Sequence, residues 1–174
     1  MIIKRILLIV PFLFISCLNK KEEKRKNIST FDEKCRLLVL NQNEKKKEFV
    51  FEIKDSITTK LNIEYLGNII TSKGDTIKVI NSTSFSGELK DSNKANANVF
   101  LYSNMNKNVG YYYVGSINSL PNEVENNFLV FKYNDEICDK KTLISLKDSI
   151  PAKIFVLCKE DQGDIYLFKN CDEK

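Results

Sequence analysis

The sequence predicts an all-β fold: a single antiparallel β-sandwich or barrel-like domain of about ten strands, with at most one short helix. Three observations carry this expectation. Short runs rich in Val, Ile, Phe and Tyr recur from residue 36 to residue 169, separated by Gly, Asn, Asp, Ser and Lys. Several of these runs alternate apolar and polar residues, and no long stretch keeps a helical period. Residues 34–174 also have the length of one domain, enough to bury an adequate core without help.

The first element is the helical exception. Thr30-Phe31-Asp32-Glu33 fits a capping box, with Phe31, Cys35 and Leu38 on one helical face. The spacing predicts a helical turn over 31–35 that runs into a strand at 36–40. Further strands are expected at Glu48–Ile53, 61–66, 68–72, 75–80, 98–103, 110–115, 127–133, 142–145, 152–159 and 164–169. In Glu48–Ile53, Phe49, Phe51 and Ile53 share one face and Val50 takes the other. In 152–159, Ala152, Ile154, Val156 and Cys158 share one face, with Phe155 and Leu157 opposite. Apolar residues on both faces predict a strand in the middle of a packed sheet. Two hairpins are legible. Ser72-Lys73-Gly74-Asp75 offers Gly74 for positive φ, and Gln162-Gly163 reads as the two-residue loop joining the last two strands. No internal repeat is present.

Ahead of this domain lies a stretch of different character. Lys4 and Arg5 form a positive region, Ile6 to Ile15 is almost wholly apolar, and Ser16 marks a cleavage point. Ten apolar residues are too few for a spanning helix, which needs about 20. The segment Phe14-Ile15-Ser16-Cys17 resembles the lipobox of bacterial lipoproteins, with Phe14 in place of the more usual Leu. That resemblance implies removal of residues 1–16 and lipidation of Cys17, with several acyl chains anchoring the protein to a membrane at about 0.8 kcal/mol per buried methylene. Residues 17–33 then read as the lipidated cysteine and a flexible charged tether, since Leu18 to Ile28 carries too little apolar surface to fold. Lys21-Glu22-Glu23 resembles the surface-export signals of some Gram-negative lipoproteins, although a solvated linker is the favoured reading. Leu18 is not the aspartate that retains many lipoproteins in the inner membrane, so the expected location is the outer membrane, at its periplasmic face or at the cell surface.

Composition excludes several functions. Loss of residues 1–16 leaves 25 basic and 23 acidic residues, a net charge of +2, and Lys outnumbers Arg 24 to 3 in the whole chain. Bidentate recognition of phosphate or guanine favours arginine, so nucleic acid is not an expected partner. The chain contains no histidine. Ser-His-Asp and Cys-His catalysis, His-ligated zinc and the usual near-neutral general base are therefore excluded. Trp is absent too, which removes the commonest sugar-stacking residue. No catalytic residue, metal site or cofactor is expected.

Four cysteines remain beside Cys17: Cys35, Cys138, Cys158 and Cys171. An even number in an exported chain favours two disulfides. A loop at Gln162-Gly163 would put Cys158 and Cys171 about 13 Å out of register, beyond the 7 Å or so that a disulfide tolerates. The remaining pairings are 35–171 with 138–158, or 35–158 with 138–171. Cys158, in the middle of an apolar strand, also fits a simple core thiol.

The most distinctive run in the domain is Gly110-Tyr111-Tyr112-Tyr113-Val114-Gly115. Alternation sends Tyr111 and Tyr113 to one face and Tyr112 to the other. Aromatic faces beside the amide-rich loop Asn104-Met105-Asn106-Lys107-Asn108 make a platform for a sugar or an extended peptide. Tyr111, Tyr113, Asn104, Asn106 and Asn108 are the candidate ligand-binding residues, with Tyr102 beside them if its strand pairs with 110–115. Two acidic clusters read as turns or solvated loops: Glu160, Asp161 and Asp164 around Gly163, and Asp135, Glu136 and Asp139 around Cys138. The expected function is that of a non-enzymatic binding or accessory lipoprotein for a glycan, a peptide or an envelope protein. A periplasmic inhibitor or immunity-type lipoprotein acting through Asp135–Asp139 is the alternative, and a carboxylate-based hydrolase a third reading.

Overall fold

In the computed structural model the described residues are 31–53, 58–87, 94–133 and 138–171. The leader, Cys17, the tether before residue 31, Asp135 and Glu136 lie outside them. Residues 31–42 form one helix, α1, with Cys35, Arg36, Val39 and Leu40 buried. The run 36–40, expected as a strand, is therefore helical, and Leu38 is exposed instead of facing inward with Cys35. Pairs four apart, Cys35 with Val39 and Arg36 with Leu40, form the buried stripe. Asn43 ends the helix at φ 55°, its N–H donating to the carbonyl of Val39 at 3.3 Å.

Ten strands follow in antiparallel pairing: β1 Glu48–Ile53, β2 Thr58–Ile70, β3 Thr76–Gly87, β4 Lys94–Ser103, β5 Asn108–Gly115, β6 Glu123–Glu125, β7 Phe128–Lys132, β8 Lys141–Ser145, β9 Lys153–Lys159 and β10 Gln162–Asn170. Seven make an open sheet in the order β1-β2-β3-β4-β5-β10-β9, and β6-β7-β8 make a second, small sheet. The all-β expectation holds, and the sheet does not close into a barrel. Where two strands were expected at 61–66 and 68–72 there is one. A bulge between Tyr65 and Gly67, with Gly67 at φ 136°, inverts the alternation that sequence reading took for a break. Tyr65 thus stays on the α1 side of the sheet while Leu66 and Ile69 enter the core on the other. At the following turn Gly74 takes φ 85°, and its N–H donates to the Thr71 carbonyl at 2.9 Å.

The core lies between the two sheets. It joins Val79, Val99, Leu101, Tyr112 and Val114 of the large sheet to Leu129, Phe131 and Tyr133 of the β7 segment. The opposite face of the large sheet carries α1. There the Arg36 guanidinium lies 3.9 Å from the centre of the Phe100 ring and its Nε donates to the Tyr102 hydroxyl at 2.9 Å. A half-buried polar clip ties the residue after β7 to β10, in which the Tyr133 and Tyr166 hydroxyls both donate to Asp164 Oδ2, at 2.9 and 3.1 Å. Asp164 of the acidic turn is thus a structural acceptor.

β9 is an edge strand, not the central strand its two-sided apolar pattern predicted. Ile154 and Val156 are buried, but Phe155 faces out. The loop before β10 is Glu160-Asp161, with Glu160 at φ 50°, and Gln162 and Gly163 already belong to the strand across a bulge. A Cβ on Gly163 would fall 2.1 Å from the Val156 carbonyl oxygen, so glycine serves the bulge and not the turn.

Cys138 and Cys158 form a disulfide, which removes the core-thiol reading of Cys158. It ties the segment leading into β8 to β9, beside hydrogen bonds from the Asp139 and Lys140 N–H groups to the Cys158 carbonyl at 2.9 and 3.2 Å. The companion bridge expected with it, Cys35–Cys171, is not formed: Cys35 is buried on α1 and Cys171 is exposed past the end of β10. The pairing 35–158 with 138–171 is ruled out. The bridge closes a 20-residue separation, for which chain entropy gives about 3 kcal/mol. Replacing both Cys138 and Cys158 by Ala should lower the unfolding free energy by that amount in chemical denaturation. The variant should then be insensitive to reductant, and a reductant effect persisting in it would place a bridge elsewhere.

Candidate functional site

The tyrosine strand β5 is built around a close approach. Gly110 pairs with Asn170, and a Cβ there would lie 2.3 Å from the Phe168 ring and 2.5 Å from the Lys169 carbonyl oxygen. Only glycine lets β10 lie this close to β5. Beyond it the three tyrosines divide by alternation. Tyr112 points into the inter-sheet core, its ring centroid 5.1 Å from that of Phe168, and its hydroxyl donates to the Pro151 carbonyl at 2.7 Å. Tyr111 and Tyr113 share the α1 side of the sheet with Lys169. The ammonium of Lys169 stands 5.8 Å from the Tyr111 ring and 5.7 Å from the Tyr113 ring, and Tyr111 packs on Phe100 at 5.2 Å.

This aromatic pair continues into an aliphatic strip. Lys169, Leu167 and Ile165 alternate onto the same face of β10, and Ile165 pairs with Phe155 and Leu167 with Lys153 on β9. Tyr113, Leu167, Ile165 and Phe155 are 46, 60, 62 and 44 % exposed. Apolar residues scattered singly on a surface are ordinary, but a row of four crossing three adjacent strands is a contiguous patch. Lys169 follows Leu167 on β10 and Lys153 stands opposite Leu167 on β9, so both flank the strip on the same face. Such a surface can desolvate apolar side chains of a partner and meet acidic groups at its margins.

The other sequence-expected residues are placed differently. Tyr102 does lie on a strand paired with β5, but it is fully buried with its hydroxyl bonded to Arg36, and so is a packing residue. Asn106 adopts φ 58° in the β4–β5 turn, accepts from Lys78 Nζ at 2.7 Å and donates to Asn41 at 3.0 Å, which makes it a turn anchor. Asn108 is half-buried opposite Tyr102, whereas Asn104 is exposed. Tyr113 sits five residues along β5 from Asn108, about 17 Å at strand rise. The amides beside Tyr113 are Asn98, its register partner, and Asn96, whose Oδ1 is 3.5 Å from the Tyr113 hydroxyl. The platform therefore gathers Tyr111 and Tyr113 but not the 104–108 loop. Phe155 escapes the sequence reading because the two-sided pattern of β9 predicts central burial, and Ile165 and Leu167 because alternation along β10 does not tell which face stays uncovered.

A second concavity lies on the opposite face of the sheet, at its β1–β3 end. It has a volume of about 290 Å³, and Glu48, Glu64, Asn62 and Asn81 line it. Burial and the neighbouring Glu48 charge push the Glu64 carboxyl up, against a hydrogen bond from Asn81. The chain matches no protein-family model, no curated protein and no solved structure.

Burial raises the phenol pKa of Tyr65, Tyr112, Tyr133 and Tyr166, and in Tyr133 the contacts with Tyr166 and Asp164 raise it further. An unfolded tyrosine ionises near pH 10, about where these folded ones still hold their protons. Their contribution to stability is therefore complete below that pH and is lost as pH rises through the folded values. Denaturant unfolding should show falling stability from about pH 10 upward, less steeply in Tyr112→Phe, which should also lose about 1 kcal/mol at neutral pH with its hydrogen bond. A flat profile between pH 9 and 11 would contradict the burial of these phenols.

Proposed function

We propose that this chain is an outer-membrane-anchored lipoprotein acting as a non-enzymatic binding or accessory module. It holds an envelope protein or peptide by the exposed face of β5, β10 and β9. The observation that carries the reading is the contiguous row Tyr113, Leu167, Ile165 and Phe155, left uncovered on a sheet whose neighbouring strands lie under α1. Aliphatic Leu167 and Ile165 beside Phe155 favour apolar side chains over a sugar ring, so a glycan is the less supported ligand. Lys153 and Lys169 at the margins favour a partner whose apolar segment is flanked by acids.

The face, rather than the edge, is the docking surface. The edge of β9 is partly occupied, since the Cys158 carbonyl accepts from Asp139 and Lys140 and the Leu157 N–H donates to Thr142 Oγ1 at 2.9 Å. Adding a strand there would compete with these bonds. A lipid anchor at Cys17, part of the same proposal, is consistent with this role, because tethering at a membrane concentrates a weak binder near envelope partners.

Two experiments on the full-length chain in native envelopes test the proposal. Alkyne-palmitate labelling should mark the wild type and be lost in Cys17→Ser, together with outer-membrane fractionation. A photo-crosslinking amino acid at position 165 or 167 should capture a discrete envelope partner, one at exposed Asn104 should not, and Phe155→Asp should abolish the capture. Labelling that survives Cys17→Ser would sink the anchor, and equal capture from positions 104 and 165 would sink the docking face.

A further inference from the structure

We propose that the cleft at the β1–β3 end of the large sheet binds an organic cation, a primary ammonium or guanidinium carried on a short aliphatic stem. Its floor is a row across three strands: Glu48 pairs with Glu64, and Glu64 with Asn81. Asn62, one alternation away on β2, completes it. The two amides are turned so that their nitrogens are spent on the protein. Asn81 Nδ2 donates to the Pro121 carbonyl at 2.8 Å, and Asn62 Nδ2 donates to Glu48 Oε1 at 2.7 Å. These bonds fix which end of each amide is oxygen.

Both amide oxygens are then left over. Asn81 is only 5 % exposed, and its Oδ1 is buried with no hydrogen-bond partner among the described residues. Asn62 Oδ1 is in the same condition. Buried acceptors are almost always satisfied, so two orphans beside one cleft call for donors from outside the fold. The charges point the same way. Around the cleft Lys46 pairs with Glu123 and Lys141 with Glu125, while among the described residues Glu48 and Glu64 have no ion-pair partner. Two carboxylates without an ion-pair partner among the described residues and two orphaned carbonyls line the cleft, beside the Thr83 hydroxyl and the Asn122 amide. A ligand bearing several N–H donors and a positive charge satisfies the carboxylates and the orphaned carbonyls at once.

Size and walls distinguish the kind of cation. A bare Ca²⁺ needs six to eight oxygens at about 2.4 Å and little room. Here the volume is about 290 Å³, and Phe85 and Ile117 stand over the polar floor. Carbon walls above a carboxylate floor fit an alkyl stem ending in an ammonium or guanidinium, Phe85 serving as wall only because Lys60 Nζ already stands 5.7 Å from its ring. This inference does not rest on the docking face of β5, β10 and β9, which lies at the other end of the sheet and on its opposite side.

The test is titration of the full-length chain with n-butylammonium and n-butylguanidinium, followed by ligand-observed NMR. n-Butanol, calcium chloride and tetramethylammonium serve as comparisons. Saturable binding of the two donor cations is expected at millimolar concentrations, with none for butanol and none for tetramethylammonium, which has charge but no donors. Glu64→Gln and Glu48→Gln should each weaken butylammonium about tenfold, and Leu38→Ala, at an exposed position on α1, should leave it unchanged. Glu48 is exposed, so that variant reports even if changes at buried Asn81 or Glu64 impair folding. Saturable Ca²⁺ binding without butylammonium binding would overturn the proposal. Equal binding of butanol, or an unaltered affinity in Glu48→Gln, would do the same.

Discussion

The pairing of β5 with β10 at Gly110 is the constraint on which the rest of the structure depends. Every other neighbour pair in the large sheet is consecutive in sequence, and this one joins strands more than forty residues apart. It requires the absence of a side chain at Gly110, because the Phe168 ring and the Lys169 carbonyl occupy the space a Cβ would need. Once β10 is seated there with β9 beside it, the excursion from Ser116 to Ala152 is closed at both ends and lies on one face of the sheet. The small sheet β6-β7-β8 is that excursion, and its apolar residues complete the core with Tyr112 and Val114 of β5. The Tyr133–Asp164–Tyr166 clip and the Cys138–Cys158 bridge then fasten an arrangement that the β5–β10 register has already imposed.

The same geometry explains why two surfaces are left over. A seven-stranded sheet is wider than either layer that covers it. α1 lies over the middle strands on one side, around Phe100 and Tyr102, and leaves β5, β10 and β9 bare. The small sheet covers the other side and leaves the β1–β3 end open beside Pro121. The two uncovered regions lie diagonally across the sheet, and their chemistry is opposite. One is aromatic and aliphatic with lysines beside it, and the other is a polar cleft carrying the Glu48 and Glu64 carboxylates.

How much of this the sequence reveals depends on what each signal measures. Strand positions were legible because Val, Ile, Phe and Tyr recur at short intervals, and Gly74 marked its turn correctly. α1 was half legible. The capping box gave its start, but Leu37-Leu38-Val39-Leu40 satisfies helix and strand patterns alike, and only the four-residue spacing of Cys35 with Val39 decides. The bulge at Gly67 was read as a break because it inverts alternation without ending the strand. Tyr111 and Tyr113 were found from alternation alone. Tyr102 and Asn106 were not placed correctly, since burial under a helix and a left-handed turn depend on partners distant in sequence. The acidic cleft left no local trace. Glu48, Glu64 and Asn81 come from three strands and meet only through register, and each alone reads as the solvated side of a strand.

Phe155 shows how one observation can mislead about structure and still point to function. Apolar residues on both faces of a strand have two physical explanations: cover on both sides, or one face waiting for a partner. β9 is an edge strand with Phe155 exposed, so the first explanation fails, and the second is the one the proposed docking face adopts. A chain under no demand to bind would gain solubility by replacing Ile165 and Leu167 with polar residues at exposed positions. Their stems contribute little to the core from there. The near-balanced net charge averages over these regions, whereas the fold sets Lys153 and Lys169 on one face of the sheet and Glu48 and Glu64 on the other.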